Sequence, residues 1–345
     1  MRLVRVVRII FLAVLSALTL PLLAAQLEIV DIPGATLIDN PLGDPVERRV
    51  AVYKPDRVKD SKRLPLVIYL PGWGDSSEIA IAQGQNAWFN TVVDQLAART
   101  PVRIAVVNCR SRYGGSQYLN SSATGRYADY ITDEILPVLL FRYAVANDGP
   151  STIIAGHSSG GYGALMFAIN DHKKFAAVVA LSPDSDFAIT HKTRLEAANI
   201  QSVTRAELDT AMAPPGNAHM PADASAQLAM GLCANYSPTA GQPGHFDWLY
   251  DEAGQWRADT WQRWLALDPL LIVRQKEDAF SPSQRIYLDG AKHDEFGANV
   301  GAHKIYNILK LRSSPTHFEE PPGLHAEHLP ERLAQGLAWV LHPQK

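Results

Sequence analysis

Ser151-Thr-Ile-Ile-Ala-Gly-His-Ser-Ser-Gly-Gly-Tyr-Gly-Ala-Leu165 joins an apolar run to a glycine-rich, helix-forming segment, with a serine at the junction. Gly156-His-Ser158-Ser-Gly160 is a G-x-S-x-G pattern placed between strand and helix, the context that gives the pattern chemical meaning. At the tip of so tight a turn, side chains at 156 or 160 would collide with neighbouring backbone, and glycine tolerates the dihedrals such a turn imposes. The turn lifts the Ser158 hydroxyl clear of the sheet. The helix that follows points its first amides at any oxyanion formed there.

Working outward, short strands and helices alternate. Leu27–Val30 and Glu47–Tyr53 read as antiparallel strands around the turn-rich Asn40-Pro-Leu-Gly-Asp-Pro45, and Leu64–Leu70 as a buried strand. Ala87–Arg99 is an amphipathic helix, Val102–Asn108 a strand, and Tyr127–Tyr143 a helix before the serine segment. Phe175–Leu181, Gln284–Asp289 and Thr316–Glu320 continue the strands, with helices over 297–311 and 329–341. This alternation predicts an α/β fold: a mostly parallel central sheet flanked by helices on both faces.

The alternation breaks between about 185 and 269. Ala213-Pro-Pro-Gly216 and Gly241-Gln-Pro-Gly244 mark loops there, and the stretch holds Trp248, Trp256, Trp261 and Trp264. A long aromatic-rich insertion between core strands reads either as a cap over a ligand cleft or as a unit whose tryptophans form its own small core.

A serine hydroxyl needs a base, an orienting acid and oxyanion donors to act as a nucleophile. In this architecture the chain order is serine, acid, histidine, each on a loop after a strand. The strand ending at Leu288 leads into Asp289-Gly-Ala-Lys-His-Asp-Glu-Phe296, which makes Asp294 the expected acid, ahead of Asp289 at the strand end and then Glu295. Of the histidines beyond Asp294, His303 falls in a helix, His317 in the last strand, and His328 one helical turn past the candidate turn. Pro321-Pro-Gly-Leu-His325 is a turn directly after that strand, so His325 is the expected base. The amide of Ser159 and that of Trp73, on the loop Leu70-Pro-Gly-Trp-Gly74, are the expected oxyanion donors. No metal or cofactor is required.

These residues resemble the esterase D-like "putative esterase" family of α/β-hydrolases, which includes S-formylglutathione hydrolases, feruloyl, acetylxylan and tributyrin esterases, and mycolyltransferases. The likeness is carried by Gly156–Leu165, by Leu119-Asn-Ser-Ser-Ala-Thr-Gly-Arg-Tyr-Ala-Asp-Tyr130 with Asp133-Glu134, by the Asp289–Phe296 loop, and by Pro322-Gly-Leu-His325. It spans about 48 to 341, with the insertion outside it. Two departures, Pro71-Gly72 for His-Gly and Gly-Leu-His for Gly-Gly-His, bear on the pocket more than on the triad. The resemblance implies a serine esterase. An acyltransferase with the same triad, an S-formylglutathione hydrolase-like thioesterase and a non-catalytic binding module are the alternatives, and a complete triad counts against the last.

The ends and the composition bound the rest. Arg2, Arg5 and Arg8 precede an apolar run over 9–23 and the small residues Ala24-Ala25, the pattern of a secretory signal peptide over 1–25. The run is short for a bilayer span, so the expectation is cleavage, a periplasmic or secreted protein, and no lasting membrane span. A formal net charge of −3, with no later cluster of Lys and Arg, argues against nucleic acid as a partner. The expected partner is a small-molecule or carbohydrate-linked ester. Cys109 and Cys233 could pair in an oxidising compartment or stand as isolated buried thiols.

Overall fold

The sheet runs through the molecule as eight strands in the order β1-β2-β4-β3-β5-β6-β7-β8. They are β1 (Gln26–Ile32), β2 (Arg48–Lys54), β3 (Leu66–Leu70), β4 (Arg103–Val106), β5 (Thr152–His157), β6 (Ala177–Leu181), β7 (Arg285–Asp289) and β8 (Thr316–Glu319). β1 and β2 are antiparallel, β2 meets β4 antiparallel, and every pair from β4 to β8 is parallel. This computed structural model describes residues 25–56, 58–82, 86–146, 151–312 and 314–342, so the expected signal segment lies outside the described residues apart from Ala25.

The central strands carry apolar residues on both faces because both faces are covered. In β3, Leu66, Ile68 and Leu70 join one hydrophobic cluster, while Val67 and Tyr69 join the other. The same period of two splits β6, with Val178 and Ala180 on one side and Ala177, Val179 and Leu181 on the other. Helices α1 (Asn86–Ala97) and α6 (Leu329–Leu341) cover the second face with Phe89, Val92, Val93, Leu96, Leu333, Leu337 and Val340. Each such side chain, fully buried, contributes roughly 1.5–3 kcal/mol. The first face is covered by α2 (Leu136–Arg142), α3 (Ser159–Asn170) and α5 (Ala298–Leu309).

The helix expected over 127–143 is present but not uniform. One turn, Tyr130–Ile135, widens to i→i+5 spacing just before Pro137. Proline has no N–H to give to the carbonyl four residues back, and a widened turn accommodates the missing bond.

Between β6 and β7 lie several short helices and the longer α4 (Ala224–Tyr236). Three of the segment's four tryptophans pack on one another and on Tyr236, with Trp256–Trp261 at 5.3 Å, Trp261–Trp264 at 5.7 Å and Trp264–Tyr236 at 5.1 Å between ring centroids, while Trp248 lies 6.5 Å from Phe246. Trp264 is fully buried and its indole N–H donates to Ser237 Oγ at 3.1 Å. These rings form the segment's own core, and none lines the cleft described below. Cys109 and Cys233 are both buried free thiols, so the disulfide does not form. Burial pushes both thiols up, Cys109 to about 12, which leaves them inert. No helix among the described residues is long and apolar enough to cross a membrane.

Candidate active site

The carboxyl ends of β3, β5, β6, β7 and β8 open onto one edge of the sheet, where ligands collect in open α/β folds. Ser158 follows β5 directly and adopts φ 57°, ψ −121°, a conformation side chains rarely take. Its amide donates to the Leu181 carbonyl at 2.9 Å, and its carbonyl accepts from the amides of Tyr162 and Asp184 at 2.9 and 3.3 Å. The strand–serine–helix turn exists because nothing protrudes around it. A Cβ on Gly160 would stand 1.8 Å from the Leu70 carbonyl oxygen, and one on Gly156 would stand 2.3 Å from that of Gly160.

Ser158 lines a cleft of ≈ 490 Å³ together with Trp73, Ser159, His325, Asp184 and Arg194. Ser159 opens α3, so its amide is among the four that no helical carbonyl can take. Its hydroxyl donates to Asp184 Oδ2 at 3.0 Å. Trp73 sits on the loop after β3, its indole seated where a Cβ on Gly115 or Gly231 would come within 2.5 or 2.3 Å of the ring. Tyr118 Oη donates to the Pro71 carbonyl and pins that loop from below.

The structure brings Asp294 and His325 together. His325 Nδ1 and Asp294 Oδ2 are 2.7 Å apart, with side chains 6% and 0% exposed. Asp294 Oδ1 accepts the amides of Phe296 and Ala298 at 3.0 and 3.3 Å. Burial pushes the Asp294 carboxyl up, but the hydrogen bond and charge of His325 outweigh it, and the group is held below its ordinary value. His325 Nε2 is buried and has no hydrogen-bond partner among the described residues. An imidazole oriented at Nδ1 by a carboxylate and open at Nε2 can accept a proton from a hydroxyl.

The other sequence candidates have different tasks. Asp289 is buried against Arg332, with oxygens 2.8 Å from its Nε and Nη2. Glu295 Oε2 accepts the His325 amide at 2.9 Å, so it anchors the histidine turn from the backbone side. His303 stacks on Phe318 at 4.9 Å, His317 pairs with Glu319 at 2.7 Å, and His328 is an exposed helix-start residue at φ 56°.

Sequence reasoning missed several neighbours. His157 gives its Nε2 proton to the His325 carbonyl at 3.1 Å, and its ring lies 4.6 Å from that of His325. Arg332 was hidden because a basic residue in an amphipathic helix reads as solvated. Trp88 and Phe89 line the cleft from α1, and His191 and Leu228 from the segment after β6. Their periodicity signals helix and core only.

Burial, with the charges of His325 and Arg332, holds His157 well below the ordinary histidine range, and burial likewise lowers His191. Both therefore stay neutral in the fold while the unfolded chain gains protons below about pH 6.5. The unfolded state then binds more protons, so stability falls with pH by up to about 1.4 kcal/mol per unit for each histidine until its folded pKa is reached. The urea midpoint should be lower at pH 5.5 than at pH 7.5; equal midpoints would contradict the neutral, buried assignment.

Residues 45–326 match the family described as "Putative esterase". The chain belongs to that family. Among solved structures, this esterase is similar to a ferulic acid esterase at 17% identity, with a TM-score of 0.57 over 92% of this chain and 98% of that one. An S-formylglutathione hydrolase from Agrobacterium tumefaciens matches at 16% identity and TM-score 0.55, covering 92% and 95% of the two chains. A ferulic acid esterase from Anaeromyces mucronatus, in complex with ferulic acid, matches at 12% identity and TM-score 0.52, covering 92% and 90%. At such identities these likenesses establish the α/β-hydrolase fold of the esterase alone.

Proposed function

We propose that this family member is an exported serine carboxylic-ester hydrolase that works through an acyl-enzyme on Ser158 and accepts aryl esters, including those on carbohydrate. The observation that carries the reading is the buried, unpartnered Nε2 of His325 in the cleft that Ser158 lines, with Nδ1 held by Asp294. Ser158 Oγ attacks the ester carbonyl and passes its proton to His325 Nε2. The amides of Ser159 and Trp73 receive the oxyanion, a contribution of about 3–4 kcal/mol for each donor. His325 returns the proton to the leaving alcohol, and water, activated the same way, releases the acid. Export rests on the leader at 1–25 alone.

The aryl preference is supported by the rings of Tyr69, Trp73, Trp88, Phe89 and Phe296 in the cleft wall. Stacking against such rings is worth about 0.5–1.5 kcal/mol beyond simple burial. Initial rates on methyl ferulate and methyl acetate, in the mature protein and in Trp88→Ala, test the preference. Trp88→Ala should raise KM for methyl ferulate about tenfold and leave that for the acetate nearly unchanged. Equal effects on the two esters would remove the aryl assignment.

A further inference from the structure

Arg332 occupies a place on α6 where an aliphatic side chain would continue the apolar face made by Leu333 and Leu337. It is 2% exposed, and its five N–H groups meet five acceptors. Nε donates to Asp289 Oδ2 at 2.8 Å, and Nη2 donates to Asp289 Oδ1 and to Ser182 Oγ, each at 2.8 Å. Nη1 donates to the carbonyls of His325 and Glu327 at 2.9 and 3.2 Å.

One guanidinium thus ties together three chain segments: the end of β7, from which the loop to Asp294 departs; the residue after β6; and the turn that carries His325. Ser182, at that junction, is fully buried and held at φ 40°, backbone strain of the sort that collects at functional sites. Its amide donates to Asp289 Oδ1 at 2.9 Å, and its side chain helps keep Asp294 ionised. None of Asp289, Arg332 and Ser182 lines the cleft. Stability alone does not explain the arrangement, since replacing a buried ion pair by apolar residues of similar volume is often neutral or stabilising.

We infer that Asp289, Arg332 and Ser182 are positioning residues, a buried unit that sets the distance and orientation of the Asp294 carboxylate relative to the His325 imidazole. The inference rests on the reading of Ser158, His325 and Asp294 as the catalytic group. Its physical basis is that misplacing a reacting group by about 1 Å costs on the order of a hundredfold in rate.

The double variant Arg332→Met/Asp289→Leu removes both charges at once and leaves no orphaned ion. The expected result is a near-native Tm, KM for p-nitrophenyl acetate within about twofold and kcat about a hundredfold lower. The low-field proton NMR signal of His325 Nδ1–H, assigned by its loss in Asp294→Ala, should shift or broaden. Arg332→Lys keeps the charge but not the five-bond geometry, and its kcat should fall between the two. A folded double variant with unchanged kcat and an unchanged low-field signal would overturn the inference. If the double variant does not fold, Ser182→Ala decides in its place: lowered kcat at constant KM supports positioning, and unchanged kcat overturns it. Failure of the underlying reading looks different, since Ser158→Ala would then keep full activity while the NMR signal still reports on the positioning unit.

Discussion

Ser158→Ala is expected to lower kcat for ester hydrolysis by about 10⁶-fold, the scale on which loss of the serine removes the action of a whole triad. The loss should appear in kcat with little change in KM, because the hydroxyl makes its decisive bond only as the reaction proceeds. The same position carries a second consequence. Ser158 holds φ 57°, ψ −121°, and a side chain in so sparsely populated a region costs of order 1–3 kcal/mol. Glycine adopts it freely, so Ser158→Gly should be as inactive as the alanine variant yet melt about 2–4 °C higher. Paired thermal melts and initial rates check both halves. A glycine variant less stable than the parent would contradict the strain assigned to this turn.

Asp294→Asn is expected to lower kcat about 10⁴-fold, chiefly through the wrong imidazole tautomer. With the carboxylate 2.7 Å from Nδ1, the proton sits on Nδ1 and Nε2 is left to accept. An asparagine that turns its NH₂ toward Nδ1 reverses this. The pH dependence of stability separates the charge from the shape. The folded-state carboxyl of Asp294 is held below its ordinary value, so its ionised form adds stability above about pH 3.9 that is lost as pH falls through the lower folded value. Wild type and Asp294→Asn should therefore differ in denaturant midpoint near neutrality and converge in acid. A difference that grew on acidification would have the wrong sign.

The sheet was legible because its central strands are covered on both faces and read as unbroken apolar runs. Leu66–Leu70 and Ala177–Leu181 are such runs. The nucleophile turn was legible because Gly156 and Gly160 have no alternative: a Cβ at either meets backbone within 2.3 Å. Asp294 and His325 followed from chain order and loop position, and the structure brings them within hydrogen-bond distance.

What stayed out of reach depends on partners distant in sequence. Asp289 and Asp294 look alike as carboxylates after one strand, and only the guanidinium of Arg332, 43 residues on, separates an ion pair from a histidine partner. Whether the tryptophans between β6 and β7 faced the cleft or each other was likewise a question of packing, settled by ring contacts such as Trp261–Trp264 at 5.7 Å. Burial of Cys109 and Cys233 as separate thiols has no signature in their spacing.

The most direct test of the central claim is covalent labelling of the purified protein with a fluorophosphonate, followed by peptide mass spectrometry. The account predicts a single adduct on Ser158, absent in Ser158→Ala and strongly slowed in Asp294→Asn. An adduct on Ser159 or elsewhere, or none on a protein that hydrolyses p-nitrophenyl acetate, would contradict a Ser158 acyl-enzyme served by His325 and Asp294.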